Sequence, residues 1–328
     1  MKNGKLPSQV LEKLISNIKT DSDVIQGPKI GMDGAKIRTK GKNFIIGGDP
    51  ITFTCENMGE YCVYINANDI AVSGGIPKFL MSTILLPTDT EEEEAEKIFI
   101  QVKTACEKLS ISLIGGHTEI TDSVTRPIIC GTMLGEEIYN FQPDKTPTGA
   151  DVILINKPAI EGTSIIAFRG KEQLIKANIP ITDIKKSENL SETFGICVLP
   201  IAKKLFSFDN IYYMHDPTEG GIASALWELS SAIGKGIAVD NIEFMEETKT
   251  FCKVFGLDPM GLIASGSLLA VAEKGREITE YLKKDGYYAE VIGRVTCQEP
   301  KVYCKNEIMK TFQRDEIARF FEKLGEQK

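Results

Sequence analysis

Three glycine-bounded segments in the first 120 residues carry the side chains best suited to chemistry. They are Gly47-Gly48-Asp49-Pro50, Asn66-Ala67-Asn68-Asp69 running into Gly74-Gly75, and Gly115-Gly116-His117-Thr118-Glu119. Glycine lets a backbone approach a ligand closely. Carboxylates beside such turns suit Mg²⁺, which binds through one or two carboxylates together with substrate phosphates. A fourth segment, Asp216-Pro217-Thr218-Glu219-Gly220-Gly221, precedes an apolar-periodic run. It would place free backbone N–H groups at a helix N-terminus, a geometry that binds anions. The combined expectation is a nucleotide site assembled from several elements.

Each segment also has a plainer reading. Asp49 is either a ligand or a turn aspartate bonded to its own backbone. In a helix over residues 59–73, Cys62, Asn66, Asp69 and Ser73 share a face. Asp and Asn compete for the backbone in helix interiors, and here Ile65, Ala67, Ile70, Ala71 and Val72 surround them. The alternatives are a buried carboxylate that needs a partner or metal and a solvent-facing polar stripe. His117, Thr118 and Glu119 follow a strand over 111–114, and the carboxyl end of a strand is the usual ligand side of an α/β sheet. A neutral His and a Thr hydroxyl can contact phosphate there, and Glu119 can hold a metal, or the segment is only a tight turn. Asp216 or Thr218 either caps the next helix or frames an anion. Glu161-Gly162-Thr163-Ser164 repeats that grammar. Neither a Walker loop nor a dinucleotide-binding glycine fingerprint occurs.

The elements that must position these residues alternate strands and helices, which predicts an α/β (α+β) fold in both halves. Residues 11–19 read as a short helix. Residues 43–46 and 51–54 are β-like, and 78–86 read as a buried strand. A helix follows with Thr90 as cap and Glu93 in the capping-box position. Its apolar stripe is Ala95, Ile98, Phe99, Val102, Cys106 and Leu109. The run Glu91 to Glu94 suits the positive end of that helix dipole rather than a metal. Strands are expected at 127–134, 151–156, 237–239, 267–272 and 289–295, with helices at 275–284 and 314–324. A helix with Ile222, Leu226, Leu229 and Ile233 on one face should end at Gly234. Residues 140–150 are turn-rich and divide an N-terminal domain, 1–145, from a C-terminal domain, 146–328.

The 328 residues carry a net charge of −8, with 42% hydrophobic and 26% charged residues. That is ordinary globular composition. With no Lys/Arg block, nucleic acid is not an expected partner. No apolar run reaches membrane-spanning length. The start, Met1-Lys2-Asn3-Gly4-Lys5, lacks a signal-peptide core, so a cytoplasmic location is expected. The eight cysteines form no C-x-x-C pair, and with two histidines a zinc site is not expected. They read as free thiols of a reducing compartment.

Taken in order, these segments resemble the superfamily of aminoimidazole ribonucleotide (AIR) synthase. Formylglycinamidine synthase, selenophosphate synthetase, thiamine-monophosphate kinase and the hydrogenase maturation protein that dehydrates a carbamoyl group belong to it. The likeness spans about residues 25–300 and is greatest to the hydrogenase-maturation branch. Gly47-Gly48-Asp49-Pro50-Ile51 resembles the first Asp motif. Asn66-Ala67-Asn68-Asp69-Ile70-Ala71 with Gly74-Gly75-Ile76-Pro77 is similar to the Val-Asn-Asp-Leu-Ala…Gly-x-x-Pro helix. Gly115-Gly116-His117-Thr118-Glu119 resembles the third turn, and Asp216 to Gly221 the Asp-x-Thr-x-Gly-Gly element. Leu257-Asp258-Pro259 followed by Ala264-Ser265-Gly266 is similar to the late Leu-Asp-Pro…Glu-Gly segment.

The resemblance implies a homodimer whose N-terminal sheets pair across the interface, each backed by a C-terminal α/β domain. It implies ATP and Mg²⁺ as cofactors, phosphorylation or activation of an amide, carboxamide or other oxygen, and a maturation partner protein. Asp49, Asp69 and Glu119 would hold metal. Asp49, Asp69, His117 and Asp216 would be catalytic. Asp33, Lys36, Asn68, Gly115, Gly116, Thr118, Glu119, Gly220 and Gly221 would contact the nucleotide. The sequence departs from the pattern where His117 stands for a frequent Asp. It also ends Leu324-Gly325-Glu326-Gln327-Lys328, with its last cysteine at Cys304 rather than at the carboxyl terminus. A nucleotide-binding assembly protein without turnover and a thiamine-monophosphate kinase are the alternative expectations.

Overall fold

The first strands of the chain exist to hold Asp49. In the computed structural model, which describes residues 12, 22–27, 29, 30, 32, 34–52, 57–305 and 307–325, β1 (Val24–Gln26), β2 (Ala35–Thr39) and β3 (Lys42–Gly47) lead into Gly48 and Asp49. The helix expected at 11–19, Asp33 and Cys55 lie outside the described residues. Beyond Asp49 come β4 (Pro50–Ile51), α1 (Met58–Val72), β5 (Gly75–Leu86), α2 (Glu92–Leu109), β6 (Ser112–Ile120) and β7 (Ile128–Glu137). The sheet runs β1-β2-β3-β7-β5-β6, with β4 on β7.

This sheet has one packed face and one open face, as alternation along its strands requires. Leu80 and Ile84 of β5 and Ile129 and Met133 of β7 are buried. Ile45, Leu80 and Met133 pack with Val63, Ala67 and Ile70 of α1 and Val102, Ala105 and Cys106 of α2. Each such aliphatic side chain contributes about 1.5–3 kcal/mol when fully buried. On the open side of β5, Phe79 and Met81 are 37% and 47% exposed, and on β6 Ile114 and Ile120 are 55% and 62% exposed. β6 is the sheet edge and is exposed along nearly its whole length.

Helix α1 differs from a surface helix in having no wet side. Twelve of its fifteen residues are buried, Asn66, Asn68 and Asp69 among them. The solvent-facing polar stripe considered from sequence is therefore excluded, and the polar side chains point into the protein. Gly74 ends the helix at φ 94°, and its carbonyl accepts from Ile138 and Tyr139 N–H at 3.0 and 2.9 Å. A Cβ there would lie 2.0 Å from the Tyr139 carbonyl oxygen, so only glycine fits.

The second sheet is built from β8 (Asp151–Ile155), β9 (Ile211–His215), β10 (Ile237–Val239), β11 (Leu268–Ala272), β12 (Ala289–Val295), β13 (Val302–Cys304) and β14 (Glu307–Ile308), in the order β14-β13-β10-β12-β8-β11-β9. Between β8 and β9 lie α3 (Ile160–Arg169), α4 (Lys171–Lys176), α5 (Ile181–Glu188), α6 (Leu190–Phe194) and α7 (Leu199–Leu205). Later come α8 (Gly221–Ile233), α9 (Glu246–Phe255), α10 (Gly275–Lys284) and α11 (Glu316–Lys323). Ile222, Leu226, Leu229 and Ile233 are all buried, and Gly234 caps α8 as expected. Among the described residues no helix is long and apolar enough to cross a membrane.

The core of the second sheet takes in part of the first half. Ala71, Val72 and Phe141 belong to the same buried cluster as β8, β9 and β11. Asn68 is completely buried and clips the halves together: its amide donates to the Ile196 carbonyl at 2.9 Å and accepts from Val198 N–H at 2.8 Å. The Tyr139 hydroxyl donates to the Phe208 carbonyl at 2.7 Å.

Three local expectations are corrected. Gly115 and Gly116 are not in a turn: β6 runs through them in parallel register with β5, pairing Met81 with Gly115 and Leu86 with Ile120. A Cβ on Gly116 would meet the Ser82 carbonyl oxygen at 1.9 Å, so this glycine serves close strand approach. Thr90 does not cap α2. The helix begins at Glu92 after an extended Glu91 with no side-chain cap, which moves Glu93 out of the capping-box position. Phe99 is 48% exposed, its place on the buried stripe being taken by Ala105.

Asn68→Ala would strand a buried carbonyl and a buried N–H. It should lower the unfolding free energy by about 2–4 kcal/mol. Urea denaturation measures this, and a midpoint equal to that of the parent protein would contradict the clip.

Candidate functional site

Asp49 stands on the wall of a cleft of about 1200 Å³ between the two halves. The first half contributes Asp49 to Thr52, Asn57, Tyr61, Lys97 and Arg126. The second contributes Glu161, Ser164 and Arg169 of α3, the segment from Glu188 to Glu192, Thr218, Glu219 and Ser265.

The backbone at Asp49 is fixed on both sides of its peptide. Asn66 Oδ1 accepts from Asp49 N–H at 2.9 Å, and Asn66 Nδ2 donates to the Asp49 carbonyl at 3.2 Å and to the Cys62 carbonyl at 2.8 Å. Gly131 N–H also donates to the Asp49 carbonyl, at 3.1 Å. One amide side chain thus supplies both a donor and an acceptor, and the Asp49 side chain is left exposed at the cleft wall.

The other expected site residues are distributed differently. Asp69 (6% exposed) and Asp216 (2% exposed) are buried and do not line the cleft. Lys36 is buried in an ion pair with Glu137 and donates to Asn140 Oδ1 at 3.4 Å. Gly115, Gly116, His117, Thr118 and Glu119 lie on edge strand β6, where His117 Nε2 is 3.3 Å from Glu119 Oε2. The N–H groups at the start of α8 are engaged. Gly220 N–H donates to Asp315 Oδ2 at 2.6 Å and Gly221 N–H to the Thr218 carbonyl at 3.1 Å. The free N–H pair expected there is therefore corrected: a distant carboxylate already occupies half of it.

Asp315 was not singled out from sequence, yet it organises this side of the cleft. Besides Gly220, it accepts from Ile263 N–H at 3.2 Å and caps α11 through Ile317 N–H at 2.7 Å. It thereby ties the Thr218–Glu219 and Ile263–Ser265 linings to one point. Burial pushes its carboxyl up to about 7, against the pull of the three N–H donors. Its one sequence signal is an aspartate immediately before an apolar-periodic run.

Glu161, quoted from sequence only within Glu161-Gly162-Thr163-Ser164, gains its importance from burial. It is 5% exposed, it lines the cleft, and its Oε2 has no hydrogen-bond partner. Burial pushes its carboxyl up to about 7; a hydrogen bond with Ser265 opposes the shift and the charge of Glu219 adds to it. The thiols offer no comparable group. Burial pushes Cys62 up to about 12 and Cys197 up to about 11, so both stay protonated at neutral pH. The seven described cysteines are unpaired.

Residues 31–136 match the family described as AIR synthase related protein, N-terminal domain, and residues 148–305 match its C-terminal domain. The chain belongs to the AIR synthase related family. Among its relatives is a hydrogenase expression/formation protein of Methanocaldococcus jannaschii, 26% identical over 259 residues, 75% of this chain and 72% of that protein. The carbamoyl dehydratase HypE of Rhizobium leguminosarum bv. viciae is 26% identical over 228 residues, 68% of this chain and 62% of that protein.

Solved structures share the fold. HypE in a HypE–HypF complex superposes with a TM-score of 0.73 at 20% identity, covering 93% of this chain and 99% of that one. HypE in complex with ATP gives 0.70 at 16% identity, covering 96% and 97%. A ThiL protein complexed with AMPPCP and TMP gives 0.70 at 19% identity, covering 94% of each chain.

Glu161 binds a proton more tightly in the folded chain than in the unfolded one. Its contribution to stability is therefore complete below its unfolded value of 4.5 and is lost as pH rises towards about 7. Glu161→Gln removes this dependence. The stability difference between parent and variant should move in the variant's favour by up to about 3 kcal/mol between pH 4.5 and pH 8. Chemical denaturation across that range tests it; a constant difference would contradict the assignment.

Proposed function

We propose that this chain binds ATP with Mg²⁺ in the cleft and transfers the γ-phosphoryl group to an oxygen of a small-molecule or protein-borne acceptor. Activation of an amide or carboxamide in hydrogenase or related metalloenzyme maturation is the form of this reaction we favour. The observation that carries it is the Asn66-locked Asp49 carboxylate on a cleft large enough for a nucleoside triphosphate. Lys97 and Arg126 stand on the same side to meet phosphate charge. Family membership supports the reading, as do relatives named as hydrogenase maturation proteins and a fold neighbour solved with ATP.

Among the described residues of one chain, no group of three His, Cys, Asp or Glu side chains is gathered to hold a metal. That donor set suits Mg²⁺ arriving on the nucleotide, with Asp49 as its protein carboxylate, since Mg²⁺ keeps waters and substrate phosphates as ligands. When bound, the ion neutralises charge on the phosphates. Asp69 and Glu119 remain further candidate carboxylates in this proposal. The chain's own residues do the positioning: Asn66 holds the Asp49 peptide, and Asp315 holds the wall opposite.

We further propose that two copies associate through their first sheets. The exposed Phe79, Met81, Ile114 and Ile120 support this, because a soluble protein seldom leaves so many large apolar side chains grouped on one sheet. Such pairing would cover β6 and with it His117, Thr118 and Glu119. A maturation partner protein is a third part of the proposal, supported by the HypE–HypF complex of the fold neighbour. Phosphorylation of thiamine monophosphate is the second reading, supported by the equal superposition on the ThiL complex. The two sequence relatives described above favour the first.

Asp49→Asn should reduce Mg²⁺-dependent phosphate release from ATP by at least about 10²-fold, the scale of losing one charged transition-state contact, and leave the circular dichroism spectrum unchanged. Release at the parent rate would sink the site assignment. ATP binding without release in the parent, measured by calorimetry, would favour an assembly role without turnover.

A further inference from the structure

One stretch of the cleft rim is held mainly at its ends. Glu188, Asn189, Ser191 and Glu192 all line the cleft. Glu188 is anchored twice: Lys171 pairs with its carboxylate at 2.9 Å, and Ser164 Oγ donates to its carbonyl at 2.7 Å. Ile196 and Val198 are anchored by the Asn68 amide. Between these fixed points α6 buries one side chain, Leu190, while Glu192, Thr193 and Phe194 are exposed, Phe194 by 55%. No side chain caps the start of α6, and the inaccessible Ser191 hydroxyl has no hydrogen-bond partner. Few buried contacts mark a segment that opens more readily than its surroundings.

The junction at Gly195 is suited to turning. Its φ of 74° and ψ of 154° lie in a region that is essentially glycine's alone. A Cβ there would meet no atom within 4 Å, so the backbone and not the packing demands glycine. The Gly195 carbonyl, by contrast, is seated: a Cβ on Gly266 would lie 2.7 Å from its oxygen. At the other end Asn189, at φ −99° and ψ 9°, separates α5 from α6. Element-terminal residues of this kind are where hinges absorb changes in φ and ψ.

We propose that residues 189–195 are a lid on the cleft, hinged at Asn189 and Gly195, that moves between an open and a closed position and is held closed by an occupant. The described position leaves Phe168 on the cleft wall 54% exposed and Phe194 on the lid 55% exposed. Closure covers apolar surface of this kind, which favours the closed position once a ligand bridges the lid and the wall. It also keeps water from the cleft, which transfer to any acceptor other than water requires. That last role rests on the phosphoryl-transfer reading above; the hinge itself does not.

Hydrogen–deuterium exchange tests the lid. Without ligand, residues 190–194 should exchange at least about tenfold faster than residues 196–202 beyond Gly195, because local opening needs less free energy than loosening the Asn68 anchor. With Mg²⁺ and a non-hydrolysable ATP analogue, at an occupancy fixed by calorimetry, exchange in 190–194 should slow by at least about tenfold and 196–202 should stay unchanged. Gly195→Ala adds a methyl that has open space but restricts the backbone. It should speed ligand-free exchange in 190–194 by at least about threefold and keep nucleotide affinity within about twofold. Equal protection on the two sides of Gly195, or exchange in 190–194 that the bound analogue leaves unchanged, overturns the lid. An analogue that gives no binding heat removes the nucleotide reading instead, and the ligand-free measurements then decide. A step in protection across Gly195 that Gly195→Ala enlarges supports the lid; exchange in the variant identical to that of the parent overturns it.

Discussion

The whole arrangement depends on a helix that buries its polar side chains. Residues two apart on an α-helix point about 200° from one another. Asn66 and Asn68 therefore reach opposite sides of α1, one to the Asp49 peptide and the other to the backbone at Ile196 and Val198. A buried amide costs free energy unless it is bonded, so neither side chain can let go cheaply. The loop that carries the cleft carboxylate and the segment that anchors the second half are thus both indexed to one rigid rod.

The opposite wall is built on the same principle with a different group. Asp315 gathers N–H donors from Gly220, Ile263 and Ile317, three places far apart in sequence. The segments carrying the lining residues Thr218, Glu219 and Ser265 are held in place through backbone N–H groups bonded to Asp315. Rigid walls fixed from behind are what a site needs if its reacting groups are to be preorganised. Asp49 and Glu161 then face a common space from two independently braced supports.

Much of the frame was legible in the residues. The helix at 275–284 and the strand at 289–295 appear with the expected boundaries, because their apolar periods and flanking breakers agree. α1 was legible through its misplaced Asn and Asp rather than through amphipathy, which it lacks. The block from α4 to α7 was not drawn, since four short helices with exposed Ile175, Ile181 and Phe194 offer no long period. β6 was cut short at its glycines. An edge strand is paired on one side only and can continue through polar residues without the alternation that marks a half-buried one. At the site, Asp49 was found by its turn, but its lock was not, because Asn66 meets it across 17 residues. Asp315 has no such local mark, and Glu161 shows in sequence only as part of Glu161-Gly162-Thr163-Ser164, because the significance of both lies in burial and in partners that the local sequence does not display.

The shared core has a consequence for how the molecule responds as a whole. Ala71, Val72 and Phe141 are packed into the cluster that also holds the second sheet, so the halves cannot separate without exposing these side chains. The first sheet keeps a cluster of its own, and whatever binds between the halves adds its binding free energy to the stability of the folded chain. A ligand held across the cleft would therefore also hold the two halves together.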